Sequence, residues 1–390
     1  MVTKMGLKVS DLAPRALQSE IRAMTAECQR MGGVNLAQGV CDTDPPEVVL
    51  REAKAAMDAG FNQYTRMEGI ERLRVAVAAE VSARHGLGVD PEGEVLITSG
   101  ATGAFHATAM ALLNPGDEVI VFEPFYGYHP GTLRALRMVP VVVSLTGDDW
   151  ALDIDAMRAA VTERTRAVLI NTPGNPSGKI FSLAELEAVA TLALEHNLFV
   201  FTDEIYEHFT YGKRPHIPMR TLPGMRERTI TMSGYSKTYS VTGWRIGTVV
   251  ADARWTPSIS YFHDMTYVCA PAPLQHGVAA GLETLDAGFY KGLATEHLSK
   301  RTMLVEALLD AGLTPHLPEG AYYILADVSR LPGETASEKA RWLLRETGVA
   351  GVAGSAFFRP GGGEGLMRFC FAKKDAELKE ACERLGALRG

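Results

Sequence analysis

The 390-residue sequence has few cysteines, and they are scattered. Cys28, Cys41, Cys269, Cys370 and Cys382 include no Cys-x-x-Cys pair, and their number is odd. That argues against a disulfide framework or a zinc site and for reduced thiols in a cytoplasm. No metal is expected. No basic run is present and the net charge is −7, which argues against nucleic acid as a partner. No stretch is apolar for the ~18 residues a membrane span needs, so no membrane partner is expected either. The first ten residues lack the apolar core of a signal peptide. No G-x-G-x-x-G follows the first core strand, which weakens a nicotinamide-enzyme reading. There is no internal repeat and no low-complexity tract.

What is present is ordinary for a soluble globular chain: 46% apolar and 22% charged residues. Residues 1–45 read as an N-terminal arm with a helical stretch at 16–31 and an apolar run at 34–40. Asp44, before Pro45 and Pro46, is placed to cap a helix running to about residue 60. Apolar residues at helical spacing (Ile70, Leu73, Val77, Val81) predict a second helix over 70–85. From residue 95 the pattern changes to short apolar runs at 95–98, 119–122, 140–145, 167–171, 198–202, 229–232 and 246–250. Helical stretches at 101–113, 131–137, 154–161 and 182–196 separate most of them. Fully apolar strands joined by helices predict an α/β fold, a mostly parallel seven-stranded sheet covered on both faces. After about residue 273 the mixture suggests a smaller α+β domain. The expected division is 1–45 (arm and part of the small domain), 46–285 (large domain) and 286–390 (small domain).

One stretch, SGYSKTYSVTGWRIG at 233–247, carries a chemical signature. Lys237 is the only lysine between Lys213 and Lys291, and hydroxyls (Ser233, Ser236, Thr238, Ser240) surround it. Arg245 follows between two glycines. A lone amine among hydroxyls, with a guanidinium nearby, suits a carbonyl-reactive lysine beside a phosphate site. Other polar residues follow apolar runs, where open α/β sheets bind ligands. Ser99 to Gly103 open a helix whose N-terminus can hold a phosphate. Tyr126 follows Glu123-Pro124-Phe125 and offers a ring for stacking. Asn175 lies in the turn-rich NTPGNPSG at 171–178. Asp203 ends an apolar strand, needs a partner there, and is followed by Tyr206. Arg368 interrupts the apolar run LMRFCF at 366–371, where a substrate carboxylate is a natural partner.

In this order and spacing the residues resemble the class I (fold type I) pyridoxal-phosphate-dependent aminotransferases, over nearly the whole chain. NLAQG at 35–39, NQYTR at 62–66, EPFY at 123–126, CAPAPL at 269–274 and GSAFF at 354–358 resemble the kynurenine–glutamine and methionine aminotransferase branch. The resemblance implies pyridoxal 5'-phosphate as cofactor, carried on Lys237. It pairs Asp203 with the ring nitrogen, sets Asn175 and Tyr206 at the ring hydroxyl, and stacks Tyr126 on the ring. Ala101, Thr102, Ser233, Ser236 and Arg245 would hold the phosphate, with Tyr64 reaching in from the partner of a homodimer. Arg368, Asn175 and the backbone of Gly39 would bind the substrate carboxylate.

That chemistry moves an α-amino group from an L-amino acid to a 2-oxo acid in ping-pong fashion, with Lys237 as the base and Asp203 and Tyr206 supporting it. Where many relatives carry an aromatic-Pro pair after the glycine, this sequence has Val40-Cys41. Tyr126, Tyr128, Tyr322, Phe357, Val40 and Cys41 are the expected pocket walls. They favour neutral or aromatic side chains over aspartate. A pyridoxal-phosphate β-lyase acting on a sulfur amino acid is the alternative enzyme. A transcription regulator built on this fold would need a DNA-binding domain, for which the 45 residues before the first motif helix leave no room.

Overall fold

The computed structural model describes residues 7, 9–10, 20–212 and 214–389. Helix α1 (Glu20–Met31), strand β1 (Val34–Asn35), α2 (Glu47–Asp58) and α3 (Glu71–His85) precede a central sheet. Its strands are β2 (Val95–Ser99), β3 (Glu118–Glu123), β4 (Val139–Thr146), β5 (Ala151–Leu152), β6 (Thr165–Asn171), β7 (Phe199–Asp203), β8 (Thr229–Gly234) and β9 (Ile246–Val250). Their spatial order is β2-β9-β8-β7-β6-β3-β4-β5. Strands β4, β3, β6, β7 and β8 pair in parallel. β9 runs antiparallel between β8 and β2, and β5 antiparallel to β4. All seven apolar runs are strands of this one sheet. The eighth strand is two residues long and too short to leave a pattern.

Alternate strand residues feed two cores, which is why these strands read as unbroken apolar runs. Ile120, Val168, Ile170 and Val200 pack on one face with Leu186 and Val189 of α7 (Leu183–Glu195, after α4 Gly100–Leu112, α5 Tyr128–Ala135 and α6 Ile154–Ala159). Val119, Val121, Leu169, Phe201 and Ile230 pack on the other with Ala104 and Phe105 of α4. A capping box starts α7: Ser182 Oγ accepts from Glu185 N at 3.3 Å, and Glu185 accepts from Ser182 N at 2.7 Å. Asp44 does not cap α2. Two prolines delay the helix start, Pro46 is the N-cap without a side-chain bond, and Asp44 pairs with Lys374 at 3.3 Å. Of the stretch expected as helix at 16–31, residues 16–19 lie outside the described residues.

Two helices, α8 (Thr256–Tyr267) and α9 (Ala272–Thr284), follow the sheet, with α9 packed along α2. The long α10 (Ala287–Asp310) then leads to β10 (Thr314–Pro315), β11 (Tyr323–Asp327), α11 (Ala336–Thr347), β12 (Val349–Ala350), β13 (Val352–Ala353), β14 (Leu366–Cys370) and α12 (Asp375–Leu385). A second, antiparallel sheet has the order β10-β11-β14-β13. β14 is therefore interior, and Arg368 stands between Leu325 and Val352. β1 pairs with β12, and Met24, Cys28 and Leu36 share a core with Leu304, Tyr323 and Phe369.

Candidate active site

The carboxyl ends of the parallel strands border a cleft of about 420 Å³. At one end α4 begins at Gly100 with no side-chain cap, so its first N–H groups point at whatever enters. Arg245 lies beside them, donating to Thr102 Oγ1 at 2.9 Å and Thr242 O at 3.1 Å. Two glycines permit this approach. A Cβ on Gly100 would stand 2.4 Å from an Arg245 nitrogen, and one on Gly247 2.3 Å from the Gly100 carbonyl carbon. Ala101, Thr102, Ser236 and Arg245 all line this end of the cleft. Free helix N–H groups, two hydroxyls and a guanidinium form a donor set that fits a phosphate.

Ser233, expected among them, is turned away. β8 continues through Gly234, so Ser233 is still in the ladder opposite Thr248, and its hydroxyl donates to Glu207 at 2.8 Å. Glu207 in turn pairs with Arg84 at 2.6 Å. Tyr64 is 81% exposed in this chain. It lines a neighbouring groove that shares Thr102 and Arg245 with the cleft.

Lys237 stands in the middle, its Nζ donating to Gly39 O at 3.0 Å. Gly39 has to be glycine: a Cβ there would lie 2.1 Å from the Tyr323 hydroxyl. Burial of the ammonium, helped by the positive Arg245 and Arg368, outweighs the opposite pull of Cys370 and Cys41. Lys237 is lowered to about 8. About a quarter of the amine is thus neutral at pH 7.5, far more than an ordinary lysine offers, and the neutral form is the one that acts as nucleophile or proton acceptor.

Asp203, the last residue of β7, is buried and faces His129 of α5, with Oδ2 3.0 Å from Nε2. Its backbone oxygen accepts from Asn171 Nδ2 at 3.0 Å, and Asn171 Oδ1 accepts from Asn175 N at 2.8 Å. Neighbouring strand ends are thereby tied in one plane. Tyr206 and Tyr323 share a hydrogen bond of 2.9 Å between their hydroxyls. Burial first, then the neighbouring Tyr323 and Asp203, pushes the Tyr206 phenol well above its ordinary value. Tyr126 stacks on Tyr128 with 5.1 Å between ring centroids and meets the His129 ring edge-on.

Arg368 is 1% exposed. It donates to Asn175 Oδ1 at 2.9 Å and Ala37 O at 2.6 Å, and Tyr323 and Phe357 lie on its guanidinium. Its Nε is buried without a partner among the described residues. An unpaired buried donor at a cleft wall fits an incoming carboxylate.

The fold therefore brings Lys237, Asp203, Tyr206, Asn175, Tyr126, Ala101, Thr102, Ser236, Arg245, Gly39 and Arg368 to one cleft. Of the expected walls, Tyr126, Tyr128 and Val40 line it, while Tyr322, Phe357 and Cys41 do not. Cys41 points to Thr43, Ser240 and His297 instead. Burial raises its thiol, but the His297 and hydroxyl contacts outweigh that and bring it down to about 7. Tyr323 takes the place expected of Tyr322; Asn171, at the head of the turn-rich 171–178, was given no role of its own, and His129 was not expected at all. The parity of adjacent residues at a strand start is not readable from an apolar Tyr-Tyr pair, and nothing local marks His129.

Residues 32–385 match the model of the family described as aminotransferase class I and II. The chain is 38% identical to a probable N-succinyldiaminopimelate aminotransferase of Mycobacterium tuberculosis, over 98% of each chain. It is 33% identical to the methionine aminotransferase of Escherichia coli, over 94% of each. It is also 33% identical to the kynurenine–oxoglutarate transaminase 3 of Mus musculus, over 90% of this chain and 83% of that protein. The solved structure of the N-succinyldiaminopimelate aminotransferase from M. tuberculosis superposes with a TM-score of 0.94, over 98% of this chain and 100% of that one. The chain belongs to the class I and II aminotransferases, enzymes that work with pyridoxal 5'-phosphate.

Proposed function

We propose that this aminotransferase takes its amino group from neutral, fairly large or aromatic L-amino acids. The observation that carries the reading is the cleft wall: Tyr126, Tyr128, Tyr323, Ile205 and Val40 offer rings and apolar surface to a side chain. Such walls select by shape and burial, worth roughly 1–3 kcal/mol per methylene-sized difference, so a broad range of donors is expected.

Bound pyridoxal 5'-phosphate supplies an aldehyde carbon that exchanges amino groups and a ring that takes up an electron pair. The N-terminus of α4, Thr102, Ser236 and Arg245 would hold the phosphate. Asp203, held by His129, would supply the negative charge that keeps the cofactor's ring nitrogen protonated. Tyr206 and Asn175 would offer hydrogen bonds to the ring's oxygen, and Tyr126 a ring to stack on it. Arg368 binds the α-carboxylate through its fork and so aims the Cα–H bond. Lys237 Nζ, its pKa lowered by burial, would accept and hold that proton. A homodimer is part of the reading, with Tyr64 at the partner's phosphate end. So are a reducing, cytoplasmic setting and the division 1–45, 46–285 and 286–390. The core shared by residues 24–41 and 293–388 supports placing the arm with the C-terminal domain.

The test is kcat/KM across phenylalanine, methionine, glutamine, kynurenine and aspartate with one 2-oxo acid acceptor. Neutral donors are expected to lead, and aspartate ahead by more than about tenfold, a gap of ~1.4 kcal/mol, would overturn the reading. Release of pyruvate and thiol from cystathionine at a rate above that of transamination would favour the β-lyase alternative.

A further inference from the structure

Beside Lys237, but outside the cleft lining, stands a polar cluster of Cys41, Thr43, Ser240 and His297. Cys41 is 3% exposed and His297 is fully buried. Ser240 Oγ donates to Cys41 Sγ at 3.3 Å. Thr43 Oγ1 lies 2.6 Å from Ser240 Oγ and 3.2 Å from Cys41 Sγ. His297 Nδ1 is 2.9 Å from Leu293 O, a carbonyl that can only accept. In the neutral ring Nδ1 therefore carries the proton, and Nε2 turns its lone pair to Cys41 Sγ at 3.9 Å. One direction of donation satisfies the whole cluster: Thr43 to Ser240, Ser240 to Cys41, Cys41 to His297, and His297 to the Leu293 carbonyl.

The cluster joins three segments remote in sequence. Cys41 and Thr43 belong to the arm, His297 to α10, and Ser240 to the turn after β8. Asp42 N–H donates to Ala372 O at 3.1 Å and anchors this part of the arm to the C-terminal domain. Thr43 and Cys41 join it to the Lys237 turn. Both sides of that junction lead directly to the amine. Cys41 is two residues from Gly39, whose carbonyl accepts from Lys237 Nζ at 3.0 Å. Ser240 is three residues from Lys237, and its N–H donates to the Lys237 carbonyl at 3.3 Å. Ser240 has a φ of 54°, a left-handed conformation that a residue with a side chain keeps only when its surroundings hold it. A neutral amine has two N–H bonds and one lone pair. Donation of one N–H to Gly39 O turns the lone pair away from that carbonyl, so the place of the carbonyl sets where the base points.

We propose that Cys41, tied to Ser240 and His297, is a positioning residue for Lys237: it keeps the Gly39 carbonyl and the Lys237 turn in register and so aims the amine at the substrate Cα–H. This rests on the reading of Lys237 as the acceptor of the α-proton, and it is independent of which amino acid is the donor. A serine at this position keeps a donor and an acceptor on a shorter arm, so it restores part of the contacts.

The experiment compares the wild-type holoenzyme with Cys41→Ala, Cys41→Ser, Ser240→Ala and the double variant C41A/S240A. Steady-state kinetics and single turnovers with ordinary and α-deuterated methionine are measured, with aspartate in its place should methionine be inert. Cys41→Ala should lose ~10-fold or more in the rate of α-proton removal, since misplacing a reacting group by about 1 Å costs up to ~10²-fold. The loss should fall on kcat, with KM for the amino acid within about twofold, because Arg368 is untouched. Cys41→Ser should recover part of it. Ser240→Ala carries the same expectation should Cys41→Ala not fold. The double variant should lose no more than the worse single one, as residues acting as one unit do. A native rate in folded Cys41→Ala overturns the proposal, as does a loss confined to KM, or losses that simply multiply in the double variant. Lys237→Ala tells the two readings apart. If it is inactive while Cys41→Ala is native, only the positioning role falls; if it keeps a near-native rate, the assignment of the base itself fails.

Discussion

His129 Nε2 lies 3.0 Å from Asp203 Oδ2, and both side chains are buried between α4, α5 and the end of β7. The histidine orients the carboxylate toward the cleft and shields it from water. Asp203→Asn should still bind the cofactor but slow removal of the α-proton by ~10²-fold or more, since an amide cannot keep a ring nitrogen protonated. His129→Asn removes an orienting partner, for which ~10–100-fold is usual. Single-turnover rates with α-deuterated and ordinary methionine read both. An Asp203→Asn enzyme with native rate and isotope effect refutes the role.

Lys237 should make itself visible through pH. The amine attacks only when neutral, and a pKa of about 8 leaves about a quarter of it neutral at pH 7.5. An ordinary lysine would offer ~0.1%. The rate at which apo-protein takes up pyridoxal 5'-phosphate covalently should therefore rise with pH and level off above about 8. A rise continuing past pH 10 would show that burial does not depress this amine. Lys237→Ala should lose the visible absorbance band of the holoenzyme and at least ~10³-fold in rate.

Arg368 offers a uniform test. Arg368→Lys keeps the charge but cannot reach Asn175 Oδ1 and Ala37 O together while binding a carboxylate. KM should rise for every amino acid by a similar factor, on the order of 10-fold or more. Variation of that factor with side chain would mean that Arg368 reads the side chain rather than the α-carboxylate.

Much of this was legible in the sequence because it is local. The seven apolar runs became seven strands, since residues buried on both faces cannot alternate in polarity. Polar residues that follow such runs necessarily gather at one edge of a parallel sheet, which put Asn175, Asp203 and Lys237 together before any contact was known. What stayed hidden depends on rotation about single residues. Ser233 and Ser236 look alike in a string of hydroxyls, but only the second lies beyond the end of β8. His129 reaches the cleft from a helix whose orientation the pattern does not specify.

Gly247 tests how closely the sheet and the helix N-terminus must approach. Its Cβ would stand 2.3 Å from the Gly100 carbonyl carbon and 2.6 Å from Ala101 N, both backbone atoms that cannot swing aside. Gly247→Ala must push α4 away from Arg245. Cofactor affinity should fall at least ~10-fold and stability by ~1–3 kcal/mol, the range for overpacking. Equilibrium titration of the apo-protein and thermal melting check the two effects. Native affinity in a stable Gly247→Ala protein would mean that α4 does not hold the phosphate.

Assembly is the last expectation. Tyr64 is 81% exposed and opens onto a groove shared with Thr102, Arg245 and Tyr267. Phe61, Tyr261, Met265, Tyr267 and Val268 are further large apolar side chains between 41% and 63% exposed. Large exposed apolar side chains of this kind are what a subunit interface would bury. A two-fold dimer would cover it and bring a tyrosine from each chain to the other's phosphate end. Light scattering at assay concentration should give twice the 42.2 kDa chain mass. Met265→Glu, which sets a charge in that surface, should shift the mass toward the monomer and weaken cofactor retention with it. Tyr64→Phe should leave the dimer intact and raise the cofactor dissociation constant by about 10-fold or more, in line with losing one hydrogen bond to a charged group. A fully active monomer would refute the shared site. A dimer in which Tyr64→Phe binds cofactor as tightly as wild type would keep the assembly and remove Tyr64 from the phosphate.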